Sequence, residues 1–167
     1  MLLQPERLRL SDVVEEVCRT LRIKGEAKQI AIPIEIDGDI AVYADREAVN
    51  LIVRNLLTNA IKFSERGGKV AVSAETKAGQ VIVSVSDNGV GMEEDRVREL
   101  FDPLRLVSTT GTAGERGTGL GLQVCQQFVR MSGGQIWVES VPRQKTVFYF
   151  SLRAADSERD NDESIAY

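Results

Sequence analysis

The stretch that decides the fold runs from Asn55 to Phe63 and reads NLLTNAIKF. At 100° per residue on a helix, Asn55, Asn59 and Lys62 fall within about 60° of arc. The opposite side carries apolar residues, namely Val49, Val53, Leu56, Leu57 and Ala60. Amide oxygens are hard neutral ligands suited to Mg²⁺, and a lysine ammonium is suited to phosphate. Taken alone, however, the polar stripe fits a solvated helix face better than a binding site.

A row of valines further along ends in a carboxylate. Val81, Val83 and Val85 share one face of a predicted strand by its period of two, and Asp87 falls on the same face. A buried carboxylate needs a hydrogen-bond donor, and the exocyclic amine of a purine is one. The alternative is that the DNG sequence starting at Asp87 is a hairpin turn. That alternative is weakened because residues 93–100 have a helical pattern, which leaves no second strand for the hairpin.

Glycines follow at two places. Gly89 and Gly91 allow the backbone to turn tightly and to approach a ligand closely. The sequence GTGLGL, residues 117–122, leads directly into a predicted helix whose N-terminal N–H groups favour phosphate. It is not a Rossmann fingerprint, because Leu122 stands where the third glycine would be, and it lacks the Gly-Lys-Ser/Thr of a Walker loop. By itself, this run also fits a flexible hinge.

Periodicity along the whole chain predicts alternating helices and strands. Ser11 or Asp12 is expected to cap the first helix, and Asp45 the second. Pro33 places the strand around it at a sheet edge. Residues 102–117 have no periodicity and are predicted to form a long flexible loop, which at this length is either functional or disordered. The predicted helices are 11–24, 45–63, 93–100 and 120–131, and the predicted strands are 30–36, 40–43, 69–75, 80–86, 135–140 and 146–153.

Composition excludes several classes of protein. With 43% hydrophobic residues, a chain of 167 residues can build one domain with a sizeable core. A net charge of −4 without a Lys/Arg-rich run argues against nucleic-acid partners and anionic membrane surfaces. No apolar stretch approaches the roughly 20 residues of a membrane-spanning helix. Histidine is absent, so imidazole takes no catalytic role inside this chain, and no phosphohistidine forms within it.

We expect one globular domain at residues 10–153, preceded by the end of a linker at 1–9. Residues 154–167 are polar and mostly charged, and we expect a disordered tail there. Within the domain, Cys18 and Cys125 belong to helix-periodic apolar sets. Both are predicted to be buried structural thiols, which agrees with a reducing cytoplasm.

Taken in order, these motifs resemble the nucleotide-binding boxes of the GHKL ATPase and kinase superfamily, and most of all those of sensor histidine kinases. Asn55–Phe63 is similar to the N box, Asp87–Gly91 to the first glycine box, Phe101–Pro103 to the F box and Gly117–Leu122 to the second glycine box. The likeness runs from about residue 10 to residue 152. It implies a Bergerat-type α/β two-layer sandwich, with a mixed, largely antiparallel sheet of about five strands and three helices on one face.

The resemblance also implies a role for each motif. Asp87 would accept a hydrogen bond from the adenine amine, Asn59 with Asn55 would hold Mg²⁺, and Lys62 would contact phosphate. Residues 102–116 would form a mobile ATP lid. Further nucleotide contacts would come from Gly89, Gly91, Phe101 and the second glycine box, namely Gly117, Thr118, Gly119, Leu120 and Gly121.

One departure from the family leaves the lid cation open. Leu104 stands where the F box usually has an aromatic residue, so either Arg105 or Arg116 could reach the γ-phosphate. We take Arg105 as the catalytic candidate, beside Asn55, Asn59 and Lys62.

Asn55 separates the activities within the superfamily. Members that hydrolyse ATP carry a glutamate at this position as the base that activates water, and an amide cannot take a proton. The resemblance therefore predicts transfer of the γ-phosphoryl group to a histidine on a separate dimerisation domain, with a response regulator downstream. A GHKL ATPase, a serine-directed kinase of the anti-sigma-factor type and a nucleotide-binding pseudokinase stay open as alternatives. We expect a cytoplasmic location, whether or not the parent protein is membrane-anchored.

Overall fold

The computed structural model describes residues 2–102, 111–115 and 121–155. The helices are α1 (Leu10–Ala27), α2 (Arg46–Phe63), α3 (Glu94–Glu99) and α4 (Gly121–Met131). The strands are β1 (Glu6–Arg9), β2 (Ile34–Glu35), β3 (Ala41–Ala44), β4 (Val70–Lys77), β5 (Gln80–Asp87), β6 (Ile136–Val141) and β7 (Lys145–Arg153).

Five of the strands form the central sheet, in the order β2-β4-β5-β7-β6. Only the pairing of β2 with β4 is parallel, and the other three pairings are antiparallel. The prediction of a mixed, largely antiparallel sheet of about five strands is therefore confirmed. β1 and β3 form a second, two-stranded antiparallel sheet.

The core lies between one face of the central sheet and a layer formed by α1, α2 and α4. Alternate residues of β5 and β7 point into it, and the apolar stripe of α2 covers them. Phe150, at the centre of β7, is fully buried, as are Leu56 and Leu57 of α2. Cys125 is buried and Cys18 half-buried, and neither is in a disulfide. Within the residues described, no helix is both long enough and apolar enough to cross a lipid bilayer.

The beginning of α1 differs from the prediction. The helix begins at Leu10, Arg9 is its N-cap residue, and no side chain caps it, so the expected cap at Ser11 or Asp12 is wrong. The backbone N–H of Leu10 instead donates to the carbonyl of Ile40 at 3.1 Å. This free N–H of the first turn is thus satisfied by a distant segment rather than by a neighbouring side chain.

The short edge strand is also less regular than expected. Residues 30–36 keep the alternation of more and less buried side chains, and β2 does lie at the sheet edge. Yet only Ile34 and Glu35 join the sheet as a strand. Pro33 has no N–H to donate, although its carbonyl still accepts from the N–H of Val72 at 3.2 Å.

Helix α2 matches the prediction at both ends. It follows Asp45, whose side chain accepts the backbone N–H of Ala48 at 2.9 Å, which is the expected N-cap. It ends at Phe63, and Ser64 is the C-cap residue. The helix is buried along the stripe that includes Ile52, Val53, Leu56, Leu57 and Ala60, and this fixes which side of it faces away from the core.

Candidate functional site

The polar stripe of α2 is intact in the folded chain. Asn55, Asn59 and Lys62 are all half-buried, whereas the apolar residues between them are buried. No other group in the described ranges forms a hydrogen bond with the amide of Asn59. The ammonium of Lys62 lies 5.0 Å from the ring centroid of Phe63, a cation–π distance. Two amides and one cation thus share one side of the helix near its C-terminal end.

Asn55 differs from Asn59 because it also contacts α4. Its Nδ2 donates to the carbonyl of Leu51 at 2.9 Å. A Cβ placed on Gly121, the first residue of α4, would lie only 3.1 Å from its Oδ1. Burial raises the pKa of the Cys125 thiol to about 12, and a hydrogen bond with Asn55 only partly opposes this. Asn55 therefore holds α2 against the beginning of α4, where glycine leaves the room it needs.

Asp87 ends β5 and is 6% exposed. Its Oδ1 accepts the backbone N–H of Gly89 at 2.9 Å. Its second oxygen accepts no hydrogen bond from the parts of the chain that are described. Burial raises the pKa of Asp87 to about 6, because desolvation disfavours the carboxylate more than the single N–H stabilises it. The site thus holds a buried acceptor with capacity left for a bound donor.

The loop after Asp87 is fixed to the last turn of α2. The N–H of Val90 donates to the carbonyl of Phe63 at 3.1 Å. Gly89 packs so closely on that carbonyl that a Cβ there would overlap it. This contact brings the carboxylate end of β5 beside the end of α2 that carries Asn59 and Lys62.

Gly91, in the same loop, adopts a backbone conformation that favours glycine. Its φ is +64°, which side chains rarely adopt, and a Cβ would overlap the carbonyl of Val141. The close approach observed at Gly89 and Gly91 is thus to protein backbone. Their approach to a ligand stays a prediction.

Phe101 anchors the point where the expected lid begins. Its ring packs edge to face on Phe148, with centroids 6.4 Å apart and planes at 86°. Phe148 belongs to the core, so this end of the lid is fixed to the sheet.

Two groups near the site were missed by the sequence analysis. Thr146 in β7 is the cross-strand partner of Asp87, is buried, and shares a hydrogen bond of 2.8 Å with the hydroxyl of Ser140. The signal was available, since Thr146 has the same parity as Phe148 and Phe150. The second group centres on Lys28. This buried lysine follows α1 in the sequence but contacts the C-terminal end of α2, and no sequence pattern predicted it.

Part of the predicted site lies outside the described residues. This applies to both candidate lid cations, Arg105 and Arg116, and to Gly117, Thr118, Gly119 and Leu120 of the second glycine box. Of that box, Gly121 and Leu122 are described, at the beginning of α4.

Known proteins resemble this chain in sequence and in fold. Residues 44–156 match the family described as histidine kinase-, DNA gyrase B-, and HSP90-like ATPase. The adaptive-response sensory kinase SasA of Prochlorococcus marinus (strain MIT 9303) is 37% identical over 154 residues, which cover 90% of this chain and 41% of that protein. The chain thus spans less than half the length of this relative.

Solved structures agree with the sequence match. The catalytic domain of histidine kinase ThkA superimposes with a TM-score of 0.78 at 29% identity, covering 90% of this chain and 96% of that one. ThkA in complex with the response regulator protein TrrA gives a TM-score of 0.76 at 26% identity, covering 92% of this chain and 42% of that one.

The chain therefore belongs to the histidine kinase-, DNA gyrase B- and HSP90-like ATPase family. Within that family it is a histidine kinase ATP-binding catalytic domain, because its sequence relatives are sensory kinases and its fold is that of the ThkA catalytic domain. The resemblance to sensor histidine kinases drawn from the four boxes is confirmed.

Proposed function

We propose that this domain transfers the γ-phosphoryl group of Mg²⁺-bound ATP to a histidine on a separate dimerisation domain. The observation that carries the proposal is the position of Asp87, buried at the end of β5 and joined through Gly89 and Val90 to the last turn of α2. Under this proposal, one end of the site offers an acceptor to a purine, and the other end offers amides and a lysine to a triphosphate. Such a chain would act in a two-component pathway.

The purine end rests on the chemistry of Asp87. One carboxylate oxygen is used by the Gly89 N–H, and the other is available for the exocyclic amine of adenine. Because Asp87 is buried, a hydrogen bond that its ionised carboxylate accepts is stronger than the same bond in water. Thr146, across from Asp87 on β7, adds a hydroxyl to the same region.

The phosphate end rests on α2. The side chains fit a magnesium ion as ligands. The amide oxygens of Asn59 and Asn55 are hard and neutral, and phosphate oxygens would complete the coordination. When bound, the ion would neutralise charge that develops on the phosphoryl oxygens. Lys62 would meet the phosphates as a point charge. Arg105 and the second glycine box are proposed to complete this end.

Transfer is favoured over hydrolysis by the residue at position 55. An amide cannot take a proton from water, and the Nδ2 of Asn55 is already engaged with Leu51. A neutral imidazole nitrogen is a nucleophile without help from a base. Positioning and charge neutralisation, which the residues of α2 can supply, are then enough for the transfer.

The remaining parts of the proposal concern the surroundings of the domain. A response regulator is the proposed downstream partner, supported by ThkA, whose structure is known with the regulator TrrA. We propose a cytoplasmic location, where ATP is available. The catalytic unit is proposed to occupy residues 10–153, preceded by a linker whose last residues form β1 and followed by a polar tail.

The test is phosphoryl transfer in trans. The chain is mixed with γ-labelled MgATP and a panel of histidine-bearing dimerisation domains from related sensor kinases. Labelling that is lost in acid, and that disappears when the acceptor histidine is replaced, is the expected result. An acid-stable product would indicate a serine-directed kinase, steady phosphate release without labelling would indicate an ATPase, and tight ATP binding with neither would indicate a pseudokinase; each outcome overturns the proposal.

A further inference from the structure

Lys28 follows α1 directly and is a buried cation, 8% exposed. Its ammonium donates to three carbonyls where α2 ends, those of Ile61 at 2.9 Å, Lys62 at 3.1 Å and Ser64 at 3.0 Å. The last carbonyls of a helix have no partner within it and carry partial negative charge. Lys28 therefore supplies the donors and the positive charge that this helix end requires.

The same ammonium also holds residues 111–115, which belong to the expected lid. Its Nζ lies 2.8 Å from Oγ1 of Thr112 and 2.7 Å from Oε2 of Glu115. Thr112 is held further by its own backbone N–H, which donates to the Lys62 carbonyl at 3.0 Å, and by its hydroxyl, which lies 2.6 Å from the Ser64 carbonyl. We call the three residues Lys28, Thr112 and Glu115 the clasp.

The clasp pairs a buried positive charge with a negative one. Within the described residues, Glu115 is the only carboxylate that forms an ion pair with Lys28. Partial burial alone would raise the pKa of Glu115, but the hydrogen bond from Lys28 and those from nearby backbone N–H groups outweigh it and hold the pKa below its ordinary value. A buried ammonium bound only by neutral carbonyls would lack a counter-charge, so Glu115 stabilises the closed clasp.

The Lys28 ammonium has more acceptors around it than it has protons. An ammonium carries three protons, yet five oxygens lie within 3.1 Å of Nζ of Lys28. The three helix carbonyls are enough to use all of its protons. Lys28 would therefore keep its contacts to the end of α2 if its contacts to Thr112 and Glu115 were weakened.

Residues 111–115, the lid segment held by the clasp, lie against Lys62. A Cβ on Gly111 would lie 2.6 Å from the Lys62 carbonyl oxygen, so the backbone there packs directly on that residue. Lys62 is the residue proposed to meet the triphosphate. The position of the segment and the position of Lys62 are thus set together.

We propose that Lys28 is a positioning residue for the nucleotide, and that through Thr112 and Glu115 it fixes the lid segment against Lys62 so that both face the triphosphate. This rests on the proposed function, because it takes Lys62 as the phosphate contact. Lys28 itself touches neither the nucleotide nor the acceptor.

The test variant is Glu115→Gln. It removes the negative charge of the clasp and leaves the contacts of Lys28 to the end of α2 intact. Replacement of Lys28 itself risks unfolding, because it would remove the buried cation that neutralises the carbonyls where α2 ends. Affinities for a non-hydrolysable ATP analogue and for adenosine are compared by calorimetry. We expect about threefold to tenfold weaker binding of the ATP analogue. Adenosine should bind as before, because it has no phosphates to be positioned.

Two further variants separate positioning from general damage to the fold. Thr112→Val should weaken binding of the ATP analogue, and Thr112→Ser, which keeps the hydroxyl, should restore it. The matched control is Glu94→Gln, which removes a carboxylate from an exposed ion pair with Arg98 and should change neither affinity.

The stability of the clasp can be measured without nucleotide, by the rate of hydrogen exchange at the Thr112 amide. The Thr112 amide should exchange about threefold to tenfold faster in Glu115→Gln than in the unmodified chain. Unchanged exchange overturns the clasp whatever the chain binds. Faster exchange with an unchanged affinity for the ATP analogue, or with an equal loss of adenosine binding, overturns the positioning role. Failure of the unmodified chain to bind the analogue is a different result, and it overturns the proposed function.

Discussion

Replacement of Asp87 by asparagine is expected to stabilise the nucleotide-free chain and to weaken its binding of ATP. Desolvation raises the pKa of the carboxyl from 3.8 to about 6 in the folded chain. This difference corresponds to about 3 kcal/mol of native-state destabilisation at neutral pH. Asparagine keeps an oxygen that can accept the Gly89 N–H and has no charge to desolvate. Because its buried NH₂ group has a cost of its own, we expect a net gain of about 1 to 3 kcal/mol.

The pH dependence gives the sign of this effect. Well below pH 3.8, Asp87 is protonated in both the folded and the unfolded chain, so its ionisation does not change the free energy of unfolding. Between pH 3.8 and about 6, the unfolded chain ionises Asp87 while the folded chain keeps it protonated, so the free energy of unfolding falls; above about pH 6 both states are ionised and the loss is complete. The free energy of unfolding of the unmodified chain should therefore fall, relative to that of Asp87→Asn, between about pH 4 and pH 6 and stay lower above that range.

Urea unfolding followed by circular dichroism at several pH values measures the stability, and calorimetry with a non-hydrolysable ATP analogue measures the binding. We expect the variant to bind the analogue about 10-fold to 100-fold more weakly, since an ionised acceptor facing the adenine amine is lost. The matched control is Asp39→Asn in an exposed turn, which should change neither quantity. Near-normal affinity would refute the adenine assignment, and lower stability at pH 7 would refute the desolvation argument.

Three other changes test separate parts of the chain. Asn59→Ala should lower the rate of phosphoryl transfer far more than the affinity for the ATP analogue measured without Mg²⁺, because the amide is expected to hold the metal; an unchanged rate contradicts this. Asp45→Ala should lower the free energy of unfolding by about 1 kcal/mol, because the Ala48 N–H loses its acceptor, and equal urea midpoints would speak against it. Gly91→Ala should destabilise the chain more than Gly79→Ala, as measured by thermal unfolding. Both positions have positive φ, but only a Cβ at position 91 meets backbone atoms, so equal losses would disprove the packing argument.

The parts of the fold that the sequence predicts correctly are those set by local rules. Asp45 caps α2 because an N-cap needs only a side chain and the next three residues. The turn between β4 and β5 requires positive φ at Ala78 and Gly79, and the glycine marked it in the sequence. Asp87 was placed on the buried face by the period of two alone, and it is buried.

The parts that were missed depend on contacts between distant residues. β1 was not predicted because a four-residue strand exists only by its pairing with β3, where Leu8 lies opposite Val42. The beginning of α1 was misplaced for the same reason, since the Leu10 N–H finds its acceptor at Ile40.

Lys28 is the clearest case of this kind. A lysine in a polar stretch after a helix is typical of an exposed position, because lysine is rarely buried without partners. Its burial depends on carbonyls 33 to 36 residues away and on a hydroxyl 84 residues away. No local pattern contains that information.

The C-terminal end of α2 connects these observations. The glycine loop after β5 contacts it through the Phe63 carbonyl, and the lid segment contacts it through the Lys62 and Ser64 carbonyls. Lys28 neutralises that end, where the helix carbonyls would otherwise carry a partial negative charge beside Lys62, the proposed phosphate contact. Removal of the Lys28 charge would therefore both loosen residues 111–115 and leave that partial charge unneutralised beside Lys62. A lysine distant in sequence from all four boxes is for this reason expected to matter to the nucleotide as much as residues inside them.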